Sequence, residues 1–144
     1  MAGADDRLDV IELIHRYAAV VDLKRYDELP SVFAADAVCD YGSMRVYLGD
    51  DCMPSGLVDI ERWMRRYTGS RPSMHFMHNH VVELRGDAAT MRNYMHNTNS
   101  SIGGIYYTEA KRTKAGWRLH RLRLDERFID ADRVQNPHSP EKIG

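Results

Sequence analysis

Cysteine is scarce in this chain, which holds only Cys39 and Cys52 among its 144 residues. The two lie 13 positions apart. A structural zinc site uses close pairs of cysteines, and a disulfide framework uses a larger set in a secreted chain. We therefore expect two free thiols and exclude a disulfide-stabilised scaffold.

Neither sign of charge dominates the sequence. Lys and Arg number 20 and Asp and Glu number 21, for a formal net charge of -1. Proteins that bind nucleic acid present a basic excess to the phosphates, so this balance argues against such a partner. No apolar run approaches the roughly 18 residues of a membrane helix, and the first residues lack the basic and apolar pattern of a signal peptide. We expect a cytoplasmic protein that binds neither nucleic acid nor membrane.

Repeats and low-complexity segments are absent as well, and 43% of the residues are hydrophobic against 28% charged. This composition is typical of one globular domain. We assign that domain to residues 1–131 and a polar C-terminal tail to residues 132–144. The sequence has no glycine-rich phosphate loop, so we expect no nucleotide and no other cofactor.

Apolar residues recur at helical spacing in two places. The first predicts a helix from Leu8 to about Val21, with a charged opposite face. The second predicts a helix over Leu57–Thr68. A short helix over Tyr26–Phe33, interrupted or ended near Pro30, is expected between them.

Strands are predicted for most of the remaining segments of the domain. Short strands are predicted at Ala37–Tyr41 and Met44–Leu48. Four long ones follow, separated by glycine-containing turns at Gly86 and Gly116: Met74–Leu84, Ala88 to about Asn99, Ile102–Thr113 and Trp117 to about Ile129. Helices followed by an antiparallel meander predict an α+β fold. A long curved sheet over the first helix would form a cone-shaped domain with an apolar pocket.

Asp22 and His75 are the most promising pair of chemical groups. Asp22 follows Ile11 by about three helical turns, so its carboxylate projects along the edge of the buried face. It could also simply cap the next turn. His75 opens the first long strand, and a histidine oriented by a carboxylate is a natural general base.

Strand alternation divides the residues that follow. It places Asn79 on the face of His75, and His78 with His80 on the other face. His78, His80 and His96 could hold a metal, but no carboxylate or cysteine is interleaved with them, so we expect no metal site.

Phenol hydroxyls are a further source of polar groups for a pocket. Tyr17 lies near the centre of the apolar helix face and should be buried with a hydrogen-bond partner. Tyr41 and Tyr94 are the other candidates, and His96 shares a strand face with Tyr94. Which face of that strand points inward is left open by the alternation.

Several segments together resemble the SnoaL-like branch of the nuclear-transport-factor-two-like superfamily. They are Tyr17-Ala18-Ala19-Val20-Val21-Asp22, Phe33-Ala34-Ala35-Asp36-Ala37, His75 at the start of a long strand, and Gly116-Trp117-Arg118-Leu119. The resemblance covers residues 6–131. It implies a cone of bent antiparallel sheet packed on three N-terminal helices.

The resemblance also implies a function. Dehydratases and a dehydrochlorinase of this superfamily pair an aspartate at the end of the first helix with a histidine on the first long strand, where Asp22 and His75 stand. Tyr17 resembles a catalytic tyrosine of one such dehydratase, and Tyr41 resembles a pocket tyrosine of another. The expected activity is a cofactor-independent lyase, most often a dehydratase, acting on a hydrophobic hydroxylated aromatic or polycyclic molecule.

On this reading, Asp22, His75 and Tyr17 are the catalytic residues. Tyr41, Asn79, Tyr94 and His96 are candidates for binding the substrate. Retro-aldol cleavage, cyclisation and isomerisation could use the same groups. A small-molecule-binding module and a structural subunit like those of ring-hydroxylating dioxygenases remain as alternatives. The resemblance further implies a homo-oligomer formed through the outer face of the sheet.

Overall fold

The computed structural model describes residues 3–97 and 102–129. The helices of this part are α1 (Ala4–Leu23), α2 (Arg45–Leu48) and α3 (Leu57–Thr68). The strands are β1 (Phe33–Asp40), β2 (His75–Arg85), β3 (Ala88–Asn97), β4 (Ile102–Thr113) and β5 (Gly116–Ile129). Single 3-10 segments cover Tyr26–Ser31 and Gly42–Met44. The predicted tail, residues 132–144, and the predicted end of the third strand near residue 99 lie outside the described residues.

The five strands form one curved sheet in the order β1-β5-β4-β3-β2. β2 to β5 make the predicted antiparallel meander, and the α+β class is confirmed. β1, however, pairs with β5 in parallel, so the sheet is mixed and not wholly antiparallel. A tight turn fixes the direction of each meander strand, whereas β1 reaches its partner through a connection that includes helices and three other strands.

Helix α1 packs on one face of the sheet, mainly against β2. Its predicted apolar stripe is buried, with Ile14 at 0% and Tyr17 at 3% exposure. The helix begins at Ala4, earlier than predicted, because Asp6 supports its first turn. The Asp6 carboxylate accepts hydrogen bonds from the Gly3 backbone N–H and from the Trp117 indole N–H. This second bond ties the start of α1 to the start of β5.

One short predicted element is wrong, and a second is shorter than its predicted range. Residues 44–48 form the end of a 3-10 turn and α2 in place of a strand. Their alternating apolar pattern does not cover a buried face, since Val46 is 88% exposed. The predicted helix over Tyr26–Phe33 is a 3-10 segment that ends at Ser31, and Phe33 already begins β1. Pro30 lies inside that segment and lacks the N–H that a longer α-helix would need.

A β-bulge interrupts β2. The register with β3 shifts between His78 and Val81, and Asn79 has a left-handed backbone with φ of 55°. One extra residue reverses the alternation of side chains beyond it. Asn79 therefore does not share the inner face with His75, and His80 turns away from the outer face that carries His78. Both of these predicted orientations are wrong.

Cys39 and Cys52 are buried free thiols, as predicted. Within residues 3–97 and 102–129 no helix has the length and apolar character needed to cross a membrane. In the same residues no three His, Cys, Asp or Glu side chains are placed to hold a metal ion.

Candidate active site

The end of α1 delivers the Asp22 carboxylate to the start of β2. Asp22 Oδ1 lies 2.6 Å from His75 Nδ1 and accepts a 2.8 Å hydrogen bond from Ser73 Oγ. Asp22 Oδ2 accepts a 2.8 Å hydrogen bond from the His75 backbone N–H. The side chains of His75 and Asp22 are 11% and 15% exposed. The two groups are therefore largely shielded from water and held by three hydrogen bonds.

This contact sets the tautomer of the His75 ring. An ionised carboxylate can only accept, so Nδ1 carries the proton that points to Asp22. Nε2 of the neutral ring is then an acceptor, and the Asn97 amide nitrogen lies 3.3 Å from it. Asn97 is the cross-strand partner of His75 on β3 and is 8% exposed. The histidine is thus positioned at both ring nitrogens, with its basic nitrogen turned away from Asp22.

The pKa of Asp22 is lowered from its ordinary value of 3.8. Burial acts in the opposite direction, but the hydrogen bonds from the side chain and backbone of His75 and from Ser73 outweigh it. Asp22 is consequently ionised at neutral pH.

The lowered pKa predicts an acid dependence of stability. A carboxylate whose folded-state pKa is depressed stabilises the fold above its unfolded pKa, and this stabilisation is lost as pH falls through the folded value. We expect wild type to melt at a higher temperature than Asp22→Asn at pH 7. The difference should begin to shrink below about pH 4, where the unfolded carboxyl is protonated, and should be lost as pH falls through the lower folded-state pKa. Thermal melts of both proteins between pH 7 and 2.5 measure it, and a constant difference would contradict the argument.

A cluster of three buried phenols lies on the same side of the sheet. The Tyr17 hydroxyl is 2.8 Å from the Tyr41 hydroxyl and 3.4 Å from the Tyr106 hydroxyl. Burial raises the pKa of all three, and the charge of Asp22 adds to the rise for Tyr17 and Tyr106. These groups are therefore neutral phenols that can donate hydrogen bonds and cannot serve as bases near neutral pH. Tyr41 is held by stacking on Trp63 at a centroid distance of 4.4 Å.

Four predicted site residues come together in two contacts, Asp22 with His75 and Tyr17 with Tyr41. The other three lie elsewhere. Asn79 is exposed in the bulge, and Tyr94 is 47% exposed. His96 shares a strand face with Tyr94, as predicted, but that face is the outer one, where its Nδ1 lies 3.1 Å from His78 Nε2. None of the three faces the interior, because α1 covers the opposite side of β3.

Sequence reasoning missed Ser73, Asn97 and Tyr106. Counting back from the turn at Gly86, a regular hairpin would place residue 98 opposite His75. The bulge in β2 moves the register by one, so Asn97 takes that place. Tyr106 lies on β4, and the sequence did not show which face of that strand points inward. Ser73 precedes β2 in a segment whose apolar residues show no periodicity.

The two clearest concavities formed by the described residues lie away from Asp22 and His75. One, of about 430 Å³, is on the outer face of the sheet and includes Arg92 and Arg123. The other adjoins the start of α3 near Gly56. On the inner face, buried tyrosines and methionines occupy the space where we predicted an apolar pocket.

Comparison with known proteins places the chain in a family. Residues 2–123 match the SnoaL-like domain. An uncharacterized protein of Mycobacterium tuberculosis strain H37Rv is 30% identical over 131 residues, which cover 84% of this chain and 85% of that protein.

Solved structures share the fold. A candidate aromatic ring hydroxylase from Novosphingobium aromaticivorans is 25% identical with a TM-score of 0.78, covering 93% of this chain and 99% of its own. A candidate scytalone dehydratase from the same species is 14% identical with a TM-score of 0.72, covering 89% and 91%. A hexachlorocyclohexane dehydrochlorinase from Novosphingobium barchaimii is 17% identical with a TM-score of 0.73, covering 89% and 93%. The chain therefore belongs to the SnoaL-like family of the nuclear-transport-factor-two-like superfamily.

Proposed function

We propose that this protein is a cofactor-independent lyase, specifically a dehydratase, acting on a hydrophobic hydroxylated aromatic or polycyclic molecule. The observation that carries the proposal is the 2.6 Å hydrogen bond between Asp22 and His75, which leaves His75 Nε2 as the basic nitrogen in a shielded site. Membership of the SnoaL-like family supports it, and so does the fold shared with a dehydrochlorinase and a candidate dehydratase.

In the proposed reaction His75 Nε2 removes a proton from a carbon next to an activating group. The electron pair of that C–H bond forms the new C=C bond while the neighbouring C–O bond breaks. The hydroxyl leaves as water, with the proton that the His75 imidazolium returns to it. Asp22 stabilises the imidazolium that forms. The substrate displaces the Asn97 amide nitrogen from its weak 3.3 Å contact with His75 Nε2.

Tyr17 is proposed to donate a hydrogen bond to the activating carbonyl or to the departing hydroxyl. Its raised pKa keeps the proton on the phenol at working pH, as this task requires. Tyr41, 2.8 Å away, would hold the Tyr17 hydroxyl in place. Cyclisation and isomerisation also begin with proton removal, and retro-aldol cleavage would use the same base on a hydroxyl.

A panel of β-hydroxy ketones fused to aromatic rings tests the proposal. Loss of water extends conjugation and changes the ultraviolet spectrum, and mass spectrometry identifies the product. A product lighter by one water, formed by wild type and not by His75→Ala, supports a dehydratase. Two carbonyl fragments would point to retro-aldol cleavage, and a product of unchanged mass to an isomerase or cyclase. Binding of panel members without turnover by wild type would favour a binding module.

The outer face of the sheet is proposed to contact a second copy of the chain. It carries exposed aromatic side chains, with Phe76 at 39%, Tyr94 at 47% and Phe128 at 59% exposure. Phe76 stacks on His96 at 4.9 Å, and Phe128 covers the position beside Gly103 in the same cross-strand row. Contiguous exposed apolar groups of this kind mark interaction surfaces.

The self-association is tested by light scattering after size exclusion. Wild type is expected to be a dimer at micromolar concentration, and Phe76→Asp is expected to be a folded monomer because it buries a charge in the contact. Val46→Asp, on exposed α2, is the control and should leave the mass unchanged. A monomeric wild type would contradict the prediction.

A further inference from the structure

Asn93 on β3 has an unusual environment for an amide. Its side chain is 0% exposed on the inner face of the sheet. The amide nitrogen donates a 3.1 Å hydrogen bond to the Tyr94 carbonyl and lies 3.6 Å from the Met77 sulfur. Both neighbours of the nitrogen are acceptors, so the contacts identify which terminal atom of the amide is nitrogen and which is oxygen. The oxygen Oδ1 is buried and has no hydrogen-bond partner among the described residues.

A buried acceptor without a partner costs folding free energy, and such groups are few in native proteins. Here the cost coincides with a second irregularity, because Asn93 lies opposite the β2 bulge that contains Asn79 with positive φ. Bulges next to functional sites re-aim side chains. The interior around Asn93 therefore carries two features that packing alone does not require.

The position of Asn93 relative to His75 limits the length of a molecule that could contact both His75 and the Asn93 oxygen. Asn97, which contacts His75, lies four residues further along the same face of β3. Four residues of strand span about 13 Å. Met95 occupies the buried position between them, and Met77 and Met91 flank Asn93. Methionine side chains are flexible and repack readily around a bound molecule.

The Tyr106 ring is the cross-strand neighbour of Asn93 on β4 and faces the same interior. Its hydroxyl is directed to Tyr17 at 3.4 Å. No hydrogen bond joins this phenol cluster to Asn93 Oδ1 among the described residues, so the amide oxygen is left as an acceptor for a donor from outside them.

We propose that Asn93 Oδ1 accepts a hydrogen bond from a hydroxyl group of the substrate, at the end remote from the carbon that His75 deprotonates. This inference rests on the proposed function and specifies its substrate class. The substrate is an elongated molecule of three or four fused rings with a hydrogen-bond donor at its far end. An analogue with a methoxy group there cannot donate and would leave Oδ1 unpaired.

Binding of two matched probes tests the inference without turnover. 2-Naphthol has a donor hydroxyl, and 2-methoxynaphthalene has the same ring system without one. Wild type is expected to bind 2-naphthol about tenfold more tightly, which is the size of one neutral hydrogen bond. Asn93→Leu, which keeps the branched shape, should bind both probes equally. Its melting temperature should rise, because it removes an unpaired acceptor, whereas a purely structural asparagine would lower it on removal.

Thr108→Val is the matched control. Thr108 is also buried on the inner face, but its hydroxyl already donates to the Met91 carbonyl at 3.4 Å. The variant should melt at a lower temperature and keep the preference for 2-naphthol. If Asn93→Leu does not fold, the Asn93 side-chain amide signals of ¹⁵N-labelled wild type give the answer. They should shift with 2-naphthol and not with 2-methoxynaphthalene.

Equal affinity of wild type for the two probes, or an unchanged preference in Asn93→Leu, would overturn the inference. So would a crystal structure with 2-naphthol in which Oδ1 meets only an ordered water. The proposed function fails independently: absence of elimination with the probe preference intact would remove the dehydratase and keep Asn93 as a ligand-binding residue. Elimination without any probe preference would keep the dehydratase and remove Asn93 as a ligand-binding residue.

Discussion

Replacing His75 with alanine is expected to lower kcat at least about 100-fold on any β-hydroxy ketone that wild type dehydrates. A positioned proton-transfer group contributes roughly 10²–10⁴-fold, and the structure offers His75 Nε2 as the base. The fold should survive, since Ser73 and the backbone N–H at position 75 can still bond to Asp22. Steady-state kinetics measure the loss, and circular dichroism melts verify the fold.

His120→Ala is the matched control for this variant. His120 lies on β5 with its Nε2 3.2 Å from the Glu109 carboxylate, and it has no contact with Asp22 or His75 among the described residues. Its kcat should stay within about threefold of wild type, as is usual for a group that does not transfer the proton. A His75→Ala protein that retains wild-type kcat would remove His75 from the mechanism, whatever the control does.

Asp22→Asn is expected to have the second large effect, again at least about 100-fold in kcat. Asparagine keeps the shape of the side chain and removes its charge. Its amide NH₂ can donate to His75 Nδ1, which favours the tautomer protonated at Nε2. That tautomer cannot accept the substrate proton, and no carboxylate remains to stabilise the imidazolium.

The control for Asp22→Asn is Asp9→Asn, on the exposed face of the same helix. It should leave kcat unchanged. Nitrogen-detected NMR of the His75 ring reports the tautomer directly, so a structural role and a chemical role can be separated. Undiminished kcat in Asp22→Asn would remove Asp22 from the mechanism, whereas ligand binding without turnover in both proteins would favour a non-catalytic binding module.

Local patterns in the sequence were sufficient for the regular elements. The spacing of Ile60, Trp63 and Met64 predicted α3 with its observed bounds, because apolar contacts at i, i+3 and i+4 require a helix there. The turns at Gly86 and Gly116 predicted the strand order of the meander, since adjacent strands joined by tight turns must pair antiparallel. The buried position of Tyr17 followed in the same way from its place on the α1 stripe.

Local patterns were insufficient at Met44–Leu48 and in β1. An alternation of apolar residues predicts a strand only where a neighbouring strand and a core are available, and exposed Val46 has neither. The parallel pairing of β1 with β5 depends on contacts between residues such as Phe33 and Leu119, far apart in the chain. No turn or spacing encodes such a contact.

The candidate site shows most clearly which features the sequence determined and which the tertiary structure decided. By itself the sequence determined which side chains are chemically able to act, Asp22 and His75 first among them, and its resemblance to a family supported that pair. Only the tertiary structure decided that Asn97 and Asn93 face the interior while Tyr94 and His96 face outward. Alternation along a strand determines which residues share a face, but the packing of α1 determines which face is covered. A single inserted residue in β2 then reverses the pattern, because the side-chain period of a strand is two.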